Sequence, residues 1–246
     1  MFDLGELHRL APRWSRLVHH YEQLESTNDT ARDLAVQGAD HGTVVLADLQ
    51  HSGRGRRGAV WASAPGEGLL FSLILRPDYS RRYWSRLALA AGLGMVDSLR
   101  SAWGIEASIK WPNDVYIQGR KCAGILVESQ DGFAVVGIGL NVSSSPEGGD
   151  STSLHEQVGV EVSREEVLVS VLDAVLQESK GCADQFASQV VRMRSYCWLT
   201  GKDVSFVSNG EKIHGHVTGI GNEGDLMVRV AGVERSYQQA ELIRVV

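Results

Sequence analysis

The sequence predicts an α+β fold, in which a mixed β-sheet with flanking helices is followed by a small C-terminal β-barrel. Up to Trp198, short apolar runs typical of strands alternate with segments whose apolar residues recur at helical spacing. After Trp198 the chain holds only short β-like runs separated by turn sequences such as Ser208-Asn209-Gly210. We therefore expect a larger domain at residues 1–198 and a barrel at residues 199–246, which is too short to bury much surface alone.

The first half of the larger domain is predicted to contain three strands and two helices. A strand at residues 17–24 leads through a cluster of short polar side chains into a helix that stops at Gly38. The apolar runs at residues 42–50 and 69–75 are predicted to be further strands. A long helix is expected at residues 81–103.

The second half is predicted to return to strands and then to end in a helix. Residues 108–117 and 121–128 are predicted to be two strands around a turn, and residues 133–142 a third strand. Ser163 opens a capping box, Ser-Arg-Glu-Glu, and the helix that follows is expected to continue to about Val191.

Composition and charge exclude several classes of protein. The formal net charge is −6 and the pI is near 5.8, which argues against nucleic-acid binding through a globally basic face. Cys122, Cys182 and Cys197 are odd in number and form no C-x-x-C pair, so we expect a reducing compartment. No secretory signal is evident, and no apolar run reaches the roughly 18–20 residues of a membrane span. We expect a cytoplasmic protein that contacts neither nucleic acid nor membrane.

The arginine loop, residues 50–58, reads Q-H-S-G-R-G-R-R-G and directly follows a predicted strand. Glycine lets a backbone approach a ligand closely, and arginine presents a planar fork of donors to carboxylate or phosphate. The pattern Gly53-x-Gly55-x-x-Gly58 also matches dinucleotide and kinase fingerprints, but no helix can start after it, and H-R-D and D-F-G are both missing. We interpret it as an anion-binding loop. Considered alone, it could also be a solvated turn with charged tips.

Other segments place polar and charged side chains where a plain strand or helix needs none. Residues 110–114, Lys-Trp-Pro-Asn-Asp, combine a cation, a flat aromatic ring and two polar groups, and Pro112 is expected to interrupt the strand. Lys121 begins the next strand. Residues 26–28, Ser-Thr-Asn, could simply cap a helix, but one capping side chain would be enough. Together these groups predict one anionic-ligand site, built by several loops at one end of a sheet.

Five motifs, in this order, resemble those of biotin protein ligases. They are Ser26-Thr27-Asn28, Gln50 with Gly53-Arg54-Gly55-Arg56-Arg57-Gly58, Lys110-Trp111-Pro112-Asn113-Asp114, Arg120-Lys121 with Ala123-Gly124-Ile125-Leu126, and Gly137-Ile138-Gly139-Leu140-Asn141. The resemblance covers roughly residues 17–246. It implies a class II synthetase-like biotin ligase core followed by an SH3-like barrel.

The resemblance implies an ATP-dependent ligase that works in two steps. The carboxylate of biotin attacks the α-phosphate of ATP, which gives biotinyl-5′-AMP and pyrophosphate, and a lysine of a biotin carboxyl carrier protein then attacks the acyl carbon. Mg²⁺ would bind mainly through the ATP phosphates, without dedicated protein ligands. Two alternatives stay open: a lipoate or octanoate transferase on the same scaffold, and a biotin-binding protein without catalysis.

The resemblance also implies roles for individual residues. The expected catalytic residues are Lys121, Arg54, Lys110 and Asp114. Biotin is expected to contact Ser26, Thr27, Asn28, Gln50, Gly53, Arg54, Gly55, Arg56, Lys121, Gly124 and Gly137, and the adenylate Arg54, Arg56, Trp61, Asn113, Lys121 and Asn141. The arginine loop is expected to order over the ligand, and the role of Arg57 stays open.

Some family features are expected to be missing or different. Only 25 residues precede Ser26, fewer than the winged helix-turn-helix of repressor-type members needs, so we expect a monofunctional ligase. Ala59 stands where some members carry another basic residue. The carrier is expected to be a domain of an acyl-CoA carboxylase, and the chain a monomer or a weak homodimer.

Overall fold

A seven-stranded mixed β-sheet forms the centre of the protein in the computed structural model, which describes residues 1–246. Its strands are β1 (Val18–Leu24), β2 (Val44–Gln50), β3 (Gly68–Leu75), β4 (Ala107–Lys110), β5 (Asp114–Ile117), β6 (Arg120–Gln130) and β7 (Phe133–Asn141). They lie in the order β1-β2-β3-β7-β6-β5-β4. Only β1 and β2 run parallel, and every other neighbouring pair is antiparallel.

Helices cover both faces of this sheet. They are α1 (Leu4–Leu10), α2 (Pro12–Ser15), α3 (Thr27–Val36), α4 (Leu87–Trp103), α5 (Leu154–Val158), α6 (Arg164–Lys180) and α7 (Phe186–Tyr196). Helix α3 buries Ala31 and Ala35 against one face, whereas α4 and α6 pack on the other face over the main core. None of the helices combines the length and the apolar character that crossing a bilayer requires.

The C-terminal part of the chain forms a separate sheet of five antiparallel strands. They are β8 (Asp203–Ser208), β9 (Glu211–Ile220), β10 (Leu226–Val230), β11 (Val233–Tyr237) and β12 (Glu241–Val245), in the order β11-β10-β9-β8-β12. Its buried residues, among them Phe206 and Leu226, belong to the same apolar cluster as the core of the large sheet. The indole N–H of Trp111 also donates to the carbonyl of Gly224 at 2.8 Å. The predicted fold class is therefore confirmed, with the small sheet packed on the large one.

The prediction of one strand at residues 108–117 is wrong. The segment is an antiparallel hairpin, in which β4 and β5 pair from Ala107 with Ile117 to Lys110 with Asp114. Pro112 has no N–H to donate, so the ladder stops at the turn between the strands. As a result, Lys110 and Asp114 face each other at the mouth of the hairpin, close to the centre of the site described below.

The predicted continuation of one helix from Ser163 to about Val191 is also wrong. Helix α6 ends at Lys180, and after a turn the chain begins α7 at Phe186. Gly181 sits at the break, where a β-carbon would lie 2.8 Å from Nε2 of Gln189. A side chain at this position would crowd Gln189, and glycine is also a poor residue for continuing a helix.

Candidate active site

The ends of several elements enclose a cavity of about 670 Å³ above the large sheet. Its walls come from the start of α3, the arginine loop, the β4–β5 turn, the middle of β6 and β7, and the segment before and within β12. Most of the predicted site residues line it: Ser26, Thr27, Asn28, Gln50, Arg54, Gly55, Arg56, Trp61, Lys110, Asn113, Asp114, Lys121, Gly124 and Gly137. The structure therefore brings residues that are far apart in sequence into one site.

Two predicted site residues lie outside the cavity wall. Gly53 lies in the neck of the arginine loop, where residues 53–54 pair with residues 60–61. Its carbonyl accepts a hydrogen bond from the N–H of Trp61 at 2.9 Å. Asn141 is buried, and its side-chain amide donates to the carbonyl of Thr152 at 3.0 Å. In this structure Asn141 thus supports the connection that follows β7.

One end of the cavity is a network of buried polar side chains. Oε1 of Gln50 accepts from the backbone N–H of Thr27 at 2.7 Å and from its hydroxyl at 3.1 Å. The hydroxyl of Ser72 lies 2.8 Å from Oγ1 of Thr27 and 2.6 Å from Oδ1 of Asn28. Ser26 occupies the N-cap of α3 without capping it through its side chain. The polar residues at this helix start therefore form a pocket wall rather than a simple cap.

Glycine 137 makes room for this network. A β-carbon at Gly137 would lie 2.1 Å from Oδ1 of Asn28, much closer than two non-bonded atoms can approach. Nδ2 of Asn28 donates in turn to Glu128 on β6 at 2.7 Å. Sequence reasoning missed Ser72 and Glu128. The only signal for Ser72 was a single hydroxyl inside an otherwise apolar strand.

The other end of the cavity holds the cationic side chains, and two of them have no carboxylate partner. Nζ of Lys110 donates to the hydroxyl of Tyr116 at 2.9 Å, and the Arg56 guanidinium donates to Oδ1 of Asn113 at 3.2 Å. Burial lowers the pKa of Lys110, although the nearby charge of Asp114 opposes this shift. Burial is also the main reason why the pKa of Arg56 is lowered. Both are half-buried cations without a matched anion.

The other cations of the cavity are paired with carboxylates. Nζ of Lys121 lies 2.8 Å from Oδ1 of Asp114, in an ion pair whose angle is not that of a hydrogen bond. Arg54 holds Asp29 with two hydrogen bonds, of 2.5 and 2.9 Å, and also approaches Glu128 at 3.5 Å. The bond to Arg54 is the main reason why the pKa of Asp29 is lowered. Sequence reasoning missed Asp29 as a partner of the loop.

The C-terminal sheet completes the cavity wall. Residues 240–243 line it, and Glu241 forms an ion pair with Arg57 at 2.7 Å. Arg57 adopts a φ of 57° in a short 3₁₀ turn, a conformation that few non-glycine residues take. Arg57 therefore contacts the barrel in this structure. Nothing in the sequence indicated that residues 240–243 contribute to the site.

Comparisons with known proteins place these features in context. Residues 21–143 match the Biotin/lipoate A/B protein ligase family. The bifunctional ligase/repressor BirA of Bacillus subtilis is 33% identical over 234 residues, which cover 90% of this chain and 72% of that protein. A biotin--[acetyl-CoA-carboxylase] ligase of Paracoccus denitrificans is 32% identical over 224 residues, or 83% of this chain and 91% of its own length.

A solved structure agrees with the same assignment. The biotin protein ligase from Aquifex aeolicus in complex with biotin and ATP superposes with a TM-score of 0.84 at 29% sequence identity. The match covers 93% of this chain and 99% of that one, so it includes both sheets.

Proposed function

Because this chain belongs to the biotin/lipoate A/B protein ligase family, we propose that it is an ATP-dependent biotin–protein ligase. One observation carries the proposal. A single cavity joins a hydrogen-bonded polar end, around Gln50 and Asn28, to a cationic end with the unpaired Arg56 and Lys110. Biotin has a polar ureido ring at one end and a carboxylate at the other, so its two ends match the two ends of the cavity.

The polar end suits the ureido ring. A ureido group carries two N–H donors and a carbonyl acceptor, and Gln50, Thr27 and Asn28 supply both acceptors and donors at this end. Their side chains are held by one another and by the buried Ser72, so little side-chain freedom remains to be lost on binding. We assign these residues to recognition of the ring.

The cationic end suits the first chemical step. The carboxylate of biotin attacks the α-phosphorus of ATP, the bond from this phosphorus to the β-phosphate bridge oxygen breaks, and pyrophosphate leaves with the electron pair. Both reactants are anions, so fixed cations must suppress their repulsion and hold them in line. Arg56 and Lys110 are free to do this at once. Lys121 and Arg54 must first share or leave their carboxylates.

In the second step a lysine of the carrier attacks the acyl carbon of biotinyl-5′-AMP, an amide bond forms and AMP leaves. A free lysine needs about 4.6 kcal/mol to lose its proton at pH 7, since its pKa is near 10.4. Asp114 lines the cavity beside Lys121 and faces Lys110 across the hairpin. We propose that Asp114 orients the incoming amine and that Lys110 stabilises the charge on the departing phosphate.

ATP is used together with Mg²⁺. The structure contains no group of three or more His, Cys, Asp or Glu side chains arranged to hold a metal ion. We propose that Mg²⁺ binds mainly through the ATP phosphates, without dedicated protein ligands. The ion would lower the negative charge of the phosphates.

The alternative substrate is lipoate, which other members of such a family could activate. Its dithiolane ring has no N–H or carbonyl, so it would leave the polar groups around Gln50 without partners. A site built to hydrogen-bond a substrate rejects an analogue that lacks those groups by about 10⁴–10⁵. A protein that only binds biotin needs a cation for one carboxylate, whereas several cationic side chains line this cavity. We therefore favour ligation of biotin over both alternatives.

For the acceptor, we propose a biotin carboxyl carrier domain of an acyl-CoA carboxylase, with the reaction taking place in the cytoplasm. The relative from P. denitrificans, a biotin--[acetyl-CoA-carboxylase] ligase, supports this choice of carrier. The three free cysteines are buried, as suits a reducing compartment.

Pyrophosphate release tests the proposal. The purified chain is supplied with ATP, Mg²⁺ and either biotin or lipoate, and labelled biotin is then followed into a carrier domain. We expect release with biotin only, and label on the carrier. The Lys110→Ala variant should lose most of the release, whereas Lys212→Ala, on the exposed start of β9, should not. Release with lipoate at the same rate as with biotin would refute the substrate assignment.

A further inference from the structure

Two glycines face each other on neighbouring strands beneath the indole of Trp61. Gly124 on β6 is the direct partner of Gly139 on β7. A β-carbon at Gly139 would lie 2.3 Å from Cε2 of Trp61 and 2.6 Å from its Nε1, and one at Gly124 would lie 2.9 Å from its Cζ3. Real β-carbons do not approach other atoms so closely. Any other residue at Gly139 would therefore collide with the indole.

The backbone itself does not require glycine at these positions. Neither Gly124 nor Gly139 adopts a positive φ, and both belong to regular antiparallel pairing. Glycine in the interior of a strand weakens it, because it costs chain entropy and packs no side chain. Gly139 thus leaves space for Trp61, and Gly124 leaves space for Trp61 and for the side chain of Lys121. We call this pair the glycine seat.

Trp61 is also part of the arginine loop's neck. Its backbone N–H donates to the carbonyl of Gly53 at 2.9 Å, and Arg54 forms a β-bridge with Val60 just above. The carbonyl of Trp61 leaves no room for a β-carbon on Gly53, which would lie 2.5 Å from it. The two sides of the neck are therefore paired at Gly53 and Trp61, and a displacement of the indole that reaches the Trp61 backbone would be passed to the loop.

Shape, rather than hydrogen bonding, holds the indole in place. Nε1 of Trp61 is buried and has no hydrogen-bond partner, and such an unmet donor opposes burial. On the favourable side, the ring packs on the two glycines, and Nζ of Lys121 lies 5.4 Å from the ring centroid. Since no hydrogen bond fixes the ring, a small loss of fit is enough to unseat it.

We propose that the glycine seat sets the position of the arginine loop over the cavity, so that Gly139 is a positioning residue for the adenylate. The proposal rests on the proposed function for its consequence, slower escape of biotinyl-5′-AMP. Its structural core, the seating of Trp61, does not depend on the ligand. The three atoms nearest to the added β-carbon of Gly139 all belong to the Trp61 ring, so its effect on the loop is assigned to that contact.

Trypsin cleavage at Arg54, Arg56 and Arg57 in the ligand-free chain tests the seat. The fragments are followed by mass spectrometry in the wild type, Gly139→Ala, Trp61→Ala and the double variant. When opening is rapid, cleavage reports the population of the open loop. We expect Gly139→Ala to be cleaved about fivefold faster or more, as the lower end of overpacking penalties predicts. In the Trp61→Ala background the same change should have no further effect.

Gly137→Ala is the matched control, because the added methyl group would collide with Asn28 and not with Trp61. Its effect on cleavage should be independent of Trp61→Ala. Cleavage of Gly139→Ala at the wild-type rate, or additive effects of Gly139→Ala and Trp61→Ala, would overturn the proposal. If Gly139→Ala does not fold, folding of the double variant supports the seat, and failure of both variants to fold refutes it.

The dissociation rate of biotinyl-5′-AMP is the second readout. It should rise in Gly139→Ala together with the cleavage rate, and it should not rise further in the double variant. Faster cleavage in a chain that makes no adenylate would support the seat while contradicting the ligase assignment. Faster cleavage with an unchanged dissociation rate would overturn the positioning role of Gly139.

Discussion

Replacing Ser72 by alanine should weaken biotin binding, although Ser72 does not line the cavity. This serine is fully buried on β3, and its hydroxyl lies 2.8 Å from Thr27 and 2.6 Å from Asn28. The hydroxyl has one proton and can donate to only one of these two oxygens at a time, and the Thr27 hydroxyl itself donates to Gln50. Removal of the Ser72 hydroxyl leaves at least one buried polar atom without its partner. Such a loss costs about 1–3 kcal/mol.

The magnitude of the effect depends on where this loss appears. If the lost hydrogen bond destabilises the free protein and the biotin complex equally, only the free energy of unfolding drops, by about 1–3 kcal/mol. Thr27 and Asn28, however, are the residues that we assign to the ureido ring. Without Ser72 their side chains are held less firmly, and ordering them again when biotin binds makes the binding free energy less favourable. We expect the KM for biotin to rise by about 5- to 140-fold, since 1.4 kcal/mol corresponds to a factor of ten. The KM for ATP should stay near its wild-type value.

Steady-state pyrophosphate release, with biotin and ATP varied separately, measures both constants. Ser98→Ala is the matched control, because Ser98 is also a buried serine and its hydroxyl pairs with that of Ser170 at 2.8 Å, between α4 and α6. It should lower the thermal midpoint without changing the KM for biotin. Equal biotin KM values in the two variants would refute the role of Ser72 in holding the polar end.

Three further predictions concern the charged groups around the loop. Asp29→Asn should lower the KM for ATP, because Arg54 no longer has to break an ion pair before it binds phosphate. The change should be at most about fivefold, since the Arg54–Asp29 pair is partly exposed and therefore weak. Glu241→Gln should free Arg57 and speed trypsin cleavage of the loop, again by at most about fivefold for so exposed a pair; unchanged cleavage would show that the ion pair does not hold the loop. Burial lowers the pKa of Lys110 from its ordinary value of 10.5, so the cation is lost at a lower pH than in a free lysine. As the pH is raised, the rate of pyrophosphate exchange should therefore decline at a pH lower than 10.5. Lys110→Arg should move this decline to higher pH. An unmoved profile would assign the decline to another group.

The sequence was sufficient for β2, β3 and β7, because these strands are almost entirely apolar and buried, and for a helix such as α4 that ends at a clear signal. Gly104, for example, adopts a φ of 64° directly after α4. The prediction failed at residues 108–117, where two four-residue strands have the same residue pattern as one long strand. It failed again at Gly181, where α6 ends and Gln189 of the next helix lies close by, a contact that the sequence does not show.

For the site, motif spacing was sufficient to indicate which residues share a cavity, but not which charges are already neutralised there. Asp29, Glu128 and Glu241 come from three different elements, and only the folded chain brings them to Arg54 and Arg57. Ser72 was missed for a similar reason. Its function depends on contacts across the sheet that no local pattern records.

These pairings rank the cations for anion binding. Arg54, Arg57 and Lys121 each have a carboxylate partner, so a phosphate must compete with that partner before it gains their attraction. Arg56 bonds only to the neutral amide of Asn113, and its burial lowers its pKa because the cation lacks solvent and has no matching anion. An entering phosphate restores the lost stabilisation without breaking an ion pair. Arg56 should therefore be the first arginine of the loop to engage the ligand, and Arg54 should follow only when the gain exceeds that of its bond to Asp29.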